Sequence, residues 1–314
     1  VADKSGIEWT DSTWNPIVGC SIVSPGCTNC YAMKMAARIE RMSPGSHYAG
    51  TTQPSKSGAV WTGKLALAPD HILTAPLRWK RPRKIFVNSM GDLFHEDAPE
   101  EWIMRCFAIM ALSGRHTFQI LTKRADRMLG FVTKLGKSVA PIEAAARDLG
   151  WTFKFGDKHF ISWPIPNIWL GVSTERQQEA EERIPLLLDT PAAVRFISAE
   201  PLLAPIDLAH LKLTEPNELT VFRTINALTG RRGHGGKFGY TETCDPLQHR
   251  LDWAIIGGES GHGARPMNLE WARSLRDQCT AAGVSFFMKQ IDGRQPIPAD
   301  LMVRQFPNRN AMAA

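Results

Sequence analysis

The sequence predicts an α/β protein, a partial (β/α) barrel of about six or seven parallel strands. Three observations lead there. Short apolar runs of strand length recur from residue 84 onward. Amphipathic segments of helix length separate them. Each run also stops at small or polar residues, as strands do where a parallel sheet meets its ligand. A doubly wound sheet would show the same alternation and is the second possibility.

The elements follow in order. Residues 1–18 contain WTDSTWNPIVG, turn chemistry around a weakly signalled first strand. YAMKMAARIERM, after Cys30, places Met33, Ala36, Ala37 and Ile39 at helical spacing. Residues 43–82 are rich in Gly, Pro, Ser and Thr and read as a long insertion. Lys84–Ser89 is a strand and Pro99–Leu112 a helix, with Asp97 as its expected cap. Thr117–Thr122 is a strand and Ala125–Lys134 a helix. A second insertion, about 135–166, carries a helical stretch of its own. Strands follow at Ile168–Val172, Val194–Ser198, Asp252–Ile256 and Val284–Lys289, with helices at Glu175–Leu188 and Leu269–Ala282. A third insertion, about 204–249, contains TGRRGHGGKFG, which reads as a flexible basic loop. This organisation predicts one β/α domain over 1–292 and a loose, Pro- and Asn-rich tail over 293–314.

Composition narrows the class. A hydrophobic share of 43% suits a globular core. No apolar run approaches the ~18–20 residues that span a bilayer, and VADKSGIEWTD has no apolar signal segment. Six cysteines, three of them scattered (Cys106, Cys244, Cys279), make no disulfide framework, so a cytoplasmic location is expected. A net charge of +6 and a pI of about 9.1 are compatible with DNA or RNA as a partner, with WKRPRK (79–84) the densest basic run. The same charge suits a basic enzyme with a solvated face. Trp9, Trp14, Trp61 and Trp79 lie in polar or basic sequence, where a ring can stack on a base or anchor a core.

The other three cysteines, Cys20, Cys27 and Cys30, stand in GCSIVSPGCTNCYA with C-x6-C-x2-C spacing. Ser24, Pro25 and Gly26 make the segment a loop. Thiolates two residues apart can turn toward one centre, and the loop lets a third join them. Three thiolates suit an iron–sulfur cluster with one iron open to a further ligand. They also suit a zinc site completed by a distant His or Cys, and a loop that binds no metal remains open.

The strand ends supply a polar rim. They carry Ser89 and Asp92 with His95 nearby, then Lys123 and Arg124, then Ser173 and Glu175. Further on come Ser198 and Glu200, then Gly257-Gly258-Glu259 with Arg265, and finally Lys289. Any one of these is more often a helix cap than a ligand; together they outline a site. GGESG is neither GxGxxG nor a P-loop, so it does not indicate a nucleotide fold. His95 reads as a base, a ligand or an ordinary hydrogen-bonding loop histidine.

A β/α repeat with a three-cysteine loop after its first strand resembles the radical S-adenosylmethionine superfamily. The segments Asn88–His95, Leu121–Arg124, Gly171–Glu175, Ile197–Leu203 and Ile255–Gly261 more closely resemble a phage-encoded family of unknown function. The superfamily spacing is C-x3-C-x2-C, whereas the first gap here is six residues. Its aromatic residue before the third cysteine is Asn29 here, with Tyr31 just after that cysteine. The superfamily's Gly-Gly-Glu element follows the second strand, where this chain has Ser89-Met90-Gly91-Asp92.

The resemblance implies that Cys20, Cys27 and Cys30 hold a [4Fe–4S] cluster whose open iron binds S-adenosylmethionine. It implies that an external donor supplies one electron, and that cleavage gives a 5′-deoxyadenosyl radical that abstracts hydrogen from a substrate. Asp92 would contact the cofactor's amino group, with Ser89 beside it. Ser173 or Glu175, and Ser198 or Glu200, would contact its ribose or amino-acid part. His95, Lys123, Arg124, Glu259, Arg265 and Lys289 would face the substrate. Nucleic-acid modification or repair in the host cytoplasm is the expected setting. A non-enzymatic nucleic-acid-binding protein with a structural zinc or iron–sulfur centre is the competing expectation. A zinc hydrolase is a third, without any HExxH or H-x-H spacing to support it.

Overall fold

The computed structural model describes residues 5–56, 58–153, 162–213, 222–236, 239–243, 249–261 and 263–307. Seven strands form its main sheet: β1 (Ser12–Trp14), β2 (Lys84–Val87), β3 (Thr117–Thr122), β4 (Ile168–Ser173), β5 (Arg195–Ala199), β6 (Trp253–Gly257) and β7 (Ser285–Gln290). They lie side by side in chain order. The pairs β1–β2, β2–β3, β5–β6 and β6–β7 are parallel. A doubly wound sheet reverses its strand order partway. This sheet does not, so its topology is that of a partial β/α barrel.

The chain divides into two compact units, Val1–Leu170 with Pro191–Ala193, and Gly171–Thr190 with Val194–Ala314. The first contains β1 to β3 and the start of β4. Its longer helices are α1 (Tyr31–Met42), α2 (Glu100–Leu112), α3 (Ala125–Lys137) and α4 (Ala140–Asp148). Trp14, Ile85, Val87, Phe118 and Ile120 are buried along the strands. Phe107 of α2 and Phe131 of α3 close on each other, with ring centroids 5.3 Å apart. Asp97 does not cap α2: Pro99 occupies that position, and the Asp97 N–H donates to His95 Nδ1.

The 43–82 insertion has secondary structure of its own. Thr52–Ser55 and Gly58–Trp61 pair as a hairpin, Ala66–Leu67 pairs with Ile17–Val18, and Asp70–Leu73 and Ala75–Arg78 are short helices. Tyr48 and Trp61 fix it by packing in one cluster with Ala32, Met33 and Ala36 of α1. Trp9 and Trp14 are also buried, so neither they nor Trp61 is open to stack on a base. Trp79 is half-buried with the Arg83 guanidinium 4.7 Å over its ring. Basic sequence around a tryptophan did not mean an exposed ring, because indole area drives burial wherever a core is in reach.

The second unit contains the end of β4, β5 to β7, α5 (Gln177–Asp189) and α6 (Leu269–Ala281). Its insertion forms a four-stranded antiparallel sheet of Leu211–Leu213, Phe222–Ile225, Arg232–Gly236 and Gly239–Thr243. The run TGRRGHGGKFG is therefore not a loop throughout. Its glycines give no strand signal, but the backbone of Arg232–Gly236 pairs on both sides. The expected loose tail does not hold over 293–307. Met288 N–H donates to Val303, Gln305 N–H donates to Phe286, and Phe306 packs 5.3 Å from both Trp253 and Phe287. Residues 308–314 lie outside the described set. No helix among the described residues is long and apolar enough to cross a membrane.

Candidate functional site

The three-cysteine loop leaves the sheet just beyond β1. Gly19 carries it past the first insertion with φ +91°, and a Cβ there would sit 2.1 Å from the Lys64 carbonyl oxygen. Gly91, beyond β2, is bridged to Gly19, and its own Cβ would meet the Gly19 oxygen at 2.9 Å. Two glycines thus let the loop and the end of β2 touch. Pro25–Cys27 forms a single 3-10 turn, and Cys30 stands at the N-cap of α1. Cys20 and Cys30 pack against the same apolar cluster as Val18, Met33 and Met90.

Beneath the loop lies a network that ties residues from three strand ends. Asp92 Oδ1 accepts from Thr122 Oγ1 at 2.6 Å and from Phe94 N–H at 3.0 Å. Its Oδ2 accepts from Lys123 N–H at 3.0 Å and from Arg124 Nη1 at 3.1 Å. Arg124 donates further to Glu96 Oε2 (2.8 Å), to Ser21 Oγ (2.6 Å) and, through Nη1, to Cys20 Sγ (3.4 Å). Lys123 Nζ donates to Ser24 Oγ at 3.1 Å, and that hydroxyl is 3.8 Å from Cys27 Sγ. His95 accepts the Asp97 N–H at Nδ1, which leaves Nε2 to donate to Ser21 Oγ at 2.9 Å. Ser89 Oγ bonds Asn15 Oδ1, and its carbonyl accepts from the Tyr31 hydroxyl at 2.8 Å.

The electrostatics follow this wiring. Burial, with the charge of Asp92 adding to it, pushes the Cys20 thiol up to about 12. Burial likewise raises Cys30, and the neighbouring Cys27 adds to it. Burial would raise Cys27 too, but the Lys123 ammonium and hydrogen bonds from Val23 and Ser24 outweigh it, and the net shift is downward. Burial, then the Arg124 charge, lowers His95 below its ordinary value, so it is a neutral orienting group for Ser21. Burial opposes ionisation of Glu96, yet hydrogen bonding from Arg124 brings it down to about 2.

The second unit places its candidate residues in separate pairs. Glu175 is fully buried and its Oε2 accepts from Arg183 at 3.1 Å; Arg183 also donates to the Ser173 carbonyl at 2.7 Å. That carboxylate is committed to α5. Glu175→Gln is expected to destabilise the chain by about 2 kcal/mol, because Arg183 keeps its hydrogen bonds but loses its counter-charge in a buried setting. Denaturant unfolding reads this, and a loss below about 0.5 kcal/mol would contradict it. Ser198 is buried, and its carbonyl accepts from Thr174 N–H at 2.9 Å. Glu200 pairs with Lys289. Glu259 accepts from Arg265 N–H at 2.8 Å and Nε at 3.0 Å, so GGESG is stapled to its own loop.

The structure therefore brings together Cys20, Asp92, Lys123 and Arg124, with His95 joined to them through Ser21. Arg124 points to Cys20 and to the carboxylates of Asp92 and Glu96, and Lys123 to Ser24 beside Cys27, on the side of the cysteines. Glu96, Ser21, Ser24, Thr122 and Arg183 are partners that sequence reading did not single out. The polar run His95–Asp97 was the available signal for Glu96; the others are ordinary residues in sequence and matter only through contacts.

Among the described residues, no three His, Cys, Asp or Glu side chains stand close enough together to hold a metal ion. The donor types fit an iron–sulfur centre nonetheless: the loop offers three thiols, and two adjacent cations oppose the negative charge that three thiolates bring. A metal centre here would have to displace the thiol protons.

These features define a parallel β/α protein with a cysteine loop beyond its first strand and a buried cation–carboxylate network under it. The chain belongs to the family described as "Protein of unknown function (DUF5131)", whose model matches residues 4–306. No curated protein and no solved structure matches the chain.

Proposed function

We propose that the chain is a radical S-adenosylmethionine enzyme whose Cys20, Cys27 and Cys30 hold a [4Fe–4S] cluster. The observation that carries the reading is the loop itself. It offers three thiols beyond the first strand of a chain-order parallel sheet, two of them directly addressed by Arg124 and by the Lys123–Ser24 pair. When bound, the cluster and S-adenosylmethionine supply a carbon radical able to remove hydrogen from an unactivated position. The chain supplies the hold. Asp92 fixes Arg124 beside Cys20, Ser24 hands the Lys123 charge toward Cys27, and the cluster of Val18, Met33 and Met90 backs one side of the half-buried Cys20 and Cys30. Asp92 has both oxygens taken by two protein donors each, which makes it a positioning residue rather than the amino contact.

The test is product formation. Iron-loaded protein, reduced with dithionite in the absence of oxygen and given S-adenosylmethionine, is expected to release 5′-deoxyadenosine, and Cys27→Ser to release none. Iron-loaded protein that forms no 5′-deoxyadenosine would overturn the reading.

A further inference from the structure

Lys123 and Arg124 are consecutive residues at the end of β3, yet each addresses a different thiol of the C-x6-C pair. Arg124 Nη1 is 3.4 Å from Cys20 Sγ, and Lys123 reaches toward Cys27 through Ser24 Oγ at 3.1 Å. Arg124 is only 7% exposed. Asp92, Glu96 and Ser21 hold it at 3.1, 2.8 and 2.6 Å, so it cannot swing out to meet a substrate. We propose that this cation pair sets the reduction potential of the metal centre, with Arg124 as the dominant element and Glu96 as its counterweight. The inference rests on the cluster reading above.

The direction of the effect follows from charge. A fixed positive charge and an N–H···S hydrogen bond both favour the more electron-rich state of a thiolate-bound cluster and so raise its potential. Burial strengthens the effect by lowering the local dielectric. Asp92 and Glu96 partly cancel the guanidinium charge. Glu96 lies at the surface, 55% exposed, and is the acid that can be neutralised without opening the buried network. A latch that merely held the loop would change how much iron is retained, not the potential of what is retained, and it would give Glu96 no effect of opposite sign.

The experiment uses the full chain, reconstituted with iron and sulfide without oxygen, followed by redox titration read by EPR. Arg124→Gln is expected to shift the reduction equilibrium about tenfold or more toward the oxidised state, about 59 mV for a one-electron couple. Lys123→Gln is expected to move it the same way by less, and Glu96→Gln in the opposite direction. Where Arg124→Gln holds no iron, the Lys123 and Glu96 variants decide by their opposite signs. Iron-loaded variants whose potentials equal that of the unchanged protein overturn the inference and leave the cluster reading standing. An unchanged protein that takes up no iron sinks both.

Discussion

Asp92→Ala is expected to cost about 3–5 kcal/mol of folding stability, the range for breaking a buried ion pair by removing one partner. The carboxylate accepts four hydrogen bonds, two on each oxygen, from Thr122, Phe94, Lys123 and Arg124. Alanine leaves a buried guanidinium short of its inner counter-charge and takes the carboxylate acceptor from two backbone N–H groups and from the Thr122 hydroxyl. A buried donor left without an acceptor costs about 1–3 kcal/mol. An asparagine side chain would keep the acceptor at one oxygen and lose the charge, so Asp92→Asn should lie between. Denaturant titration followed by tryptophan fluorescence checks both. A loss under about 1 kcal/mol for alanine would show that Arg124 is held by other means.

Gly19→Ala is expected to be nearly as severe, about 3 kcal/mol or more, from left-handed backbone strain plus overpacking. The new Cβ would lie 2.1 Å from the Lys64 carbonyl oxygen at φ +91°, and backbone cannot step aside as a side-chain tip can. Gly63→Ala is the internal control. Its φ is +85° but nothing lies within 4 Å, so it carries the conformational penalty alone. Because Gly19 N–H donates to Met90 and its carbonyl precedes Cys20, displacement there should also lower iron uptake, whereas Gly63→Ala should not. Equal losses for the two variants would contradict the close approach as the cause.

How much of this was legible in sequence differs by element. The strands from Lys84 onward were plain because a parallel strand covered on both faces reads as an unbroken apolar run, as in KIFV, WAII and SFFM. Their side-by-side order was not, since alternation alone fits either winding. The helical stretch expected in the second insertion is present as α4, but the strands of the first and third were not legible: hairpins and short helices built from Gly, Pro, Ser and Thr have weak periodicity, and in the first insertion stability comes from Tyr48 and Trp61 meeting α1. At the site, C-x6-C-x2-C was visible as spacing. The Asp92–Arg124 pair was visible only as two separate polar strand ends, because the contact joins residues 32 apart. Glu175 reads in sequence only as a polar strand end, because its partner Arg183 lies eight residues further on.

Whether the cysteine loop holds a cluster that meets S-adenosylmethionine is decided by anaerobic iron and sulfide analysis of the reconstituted chain, with low-temperature EPR before and after adding S-adenosylmethionine. About four irons per chain are expected, lost in Cys27→Ala, with a reduced-state spectrum that changes when S-adenosylmethionine is added. A single zinc, or no metal and no spectral response, would contradict the cluster and the radical chemistry together.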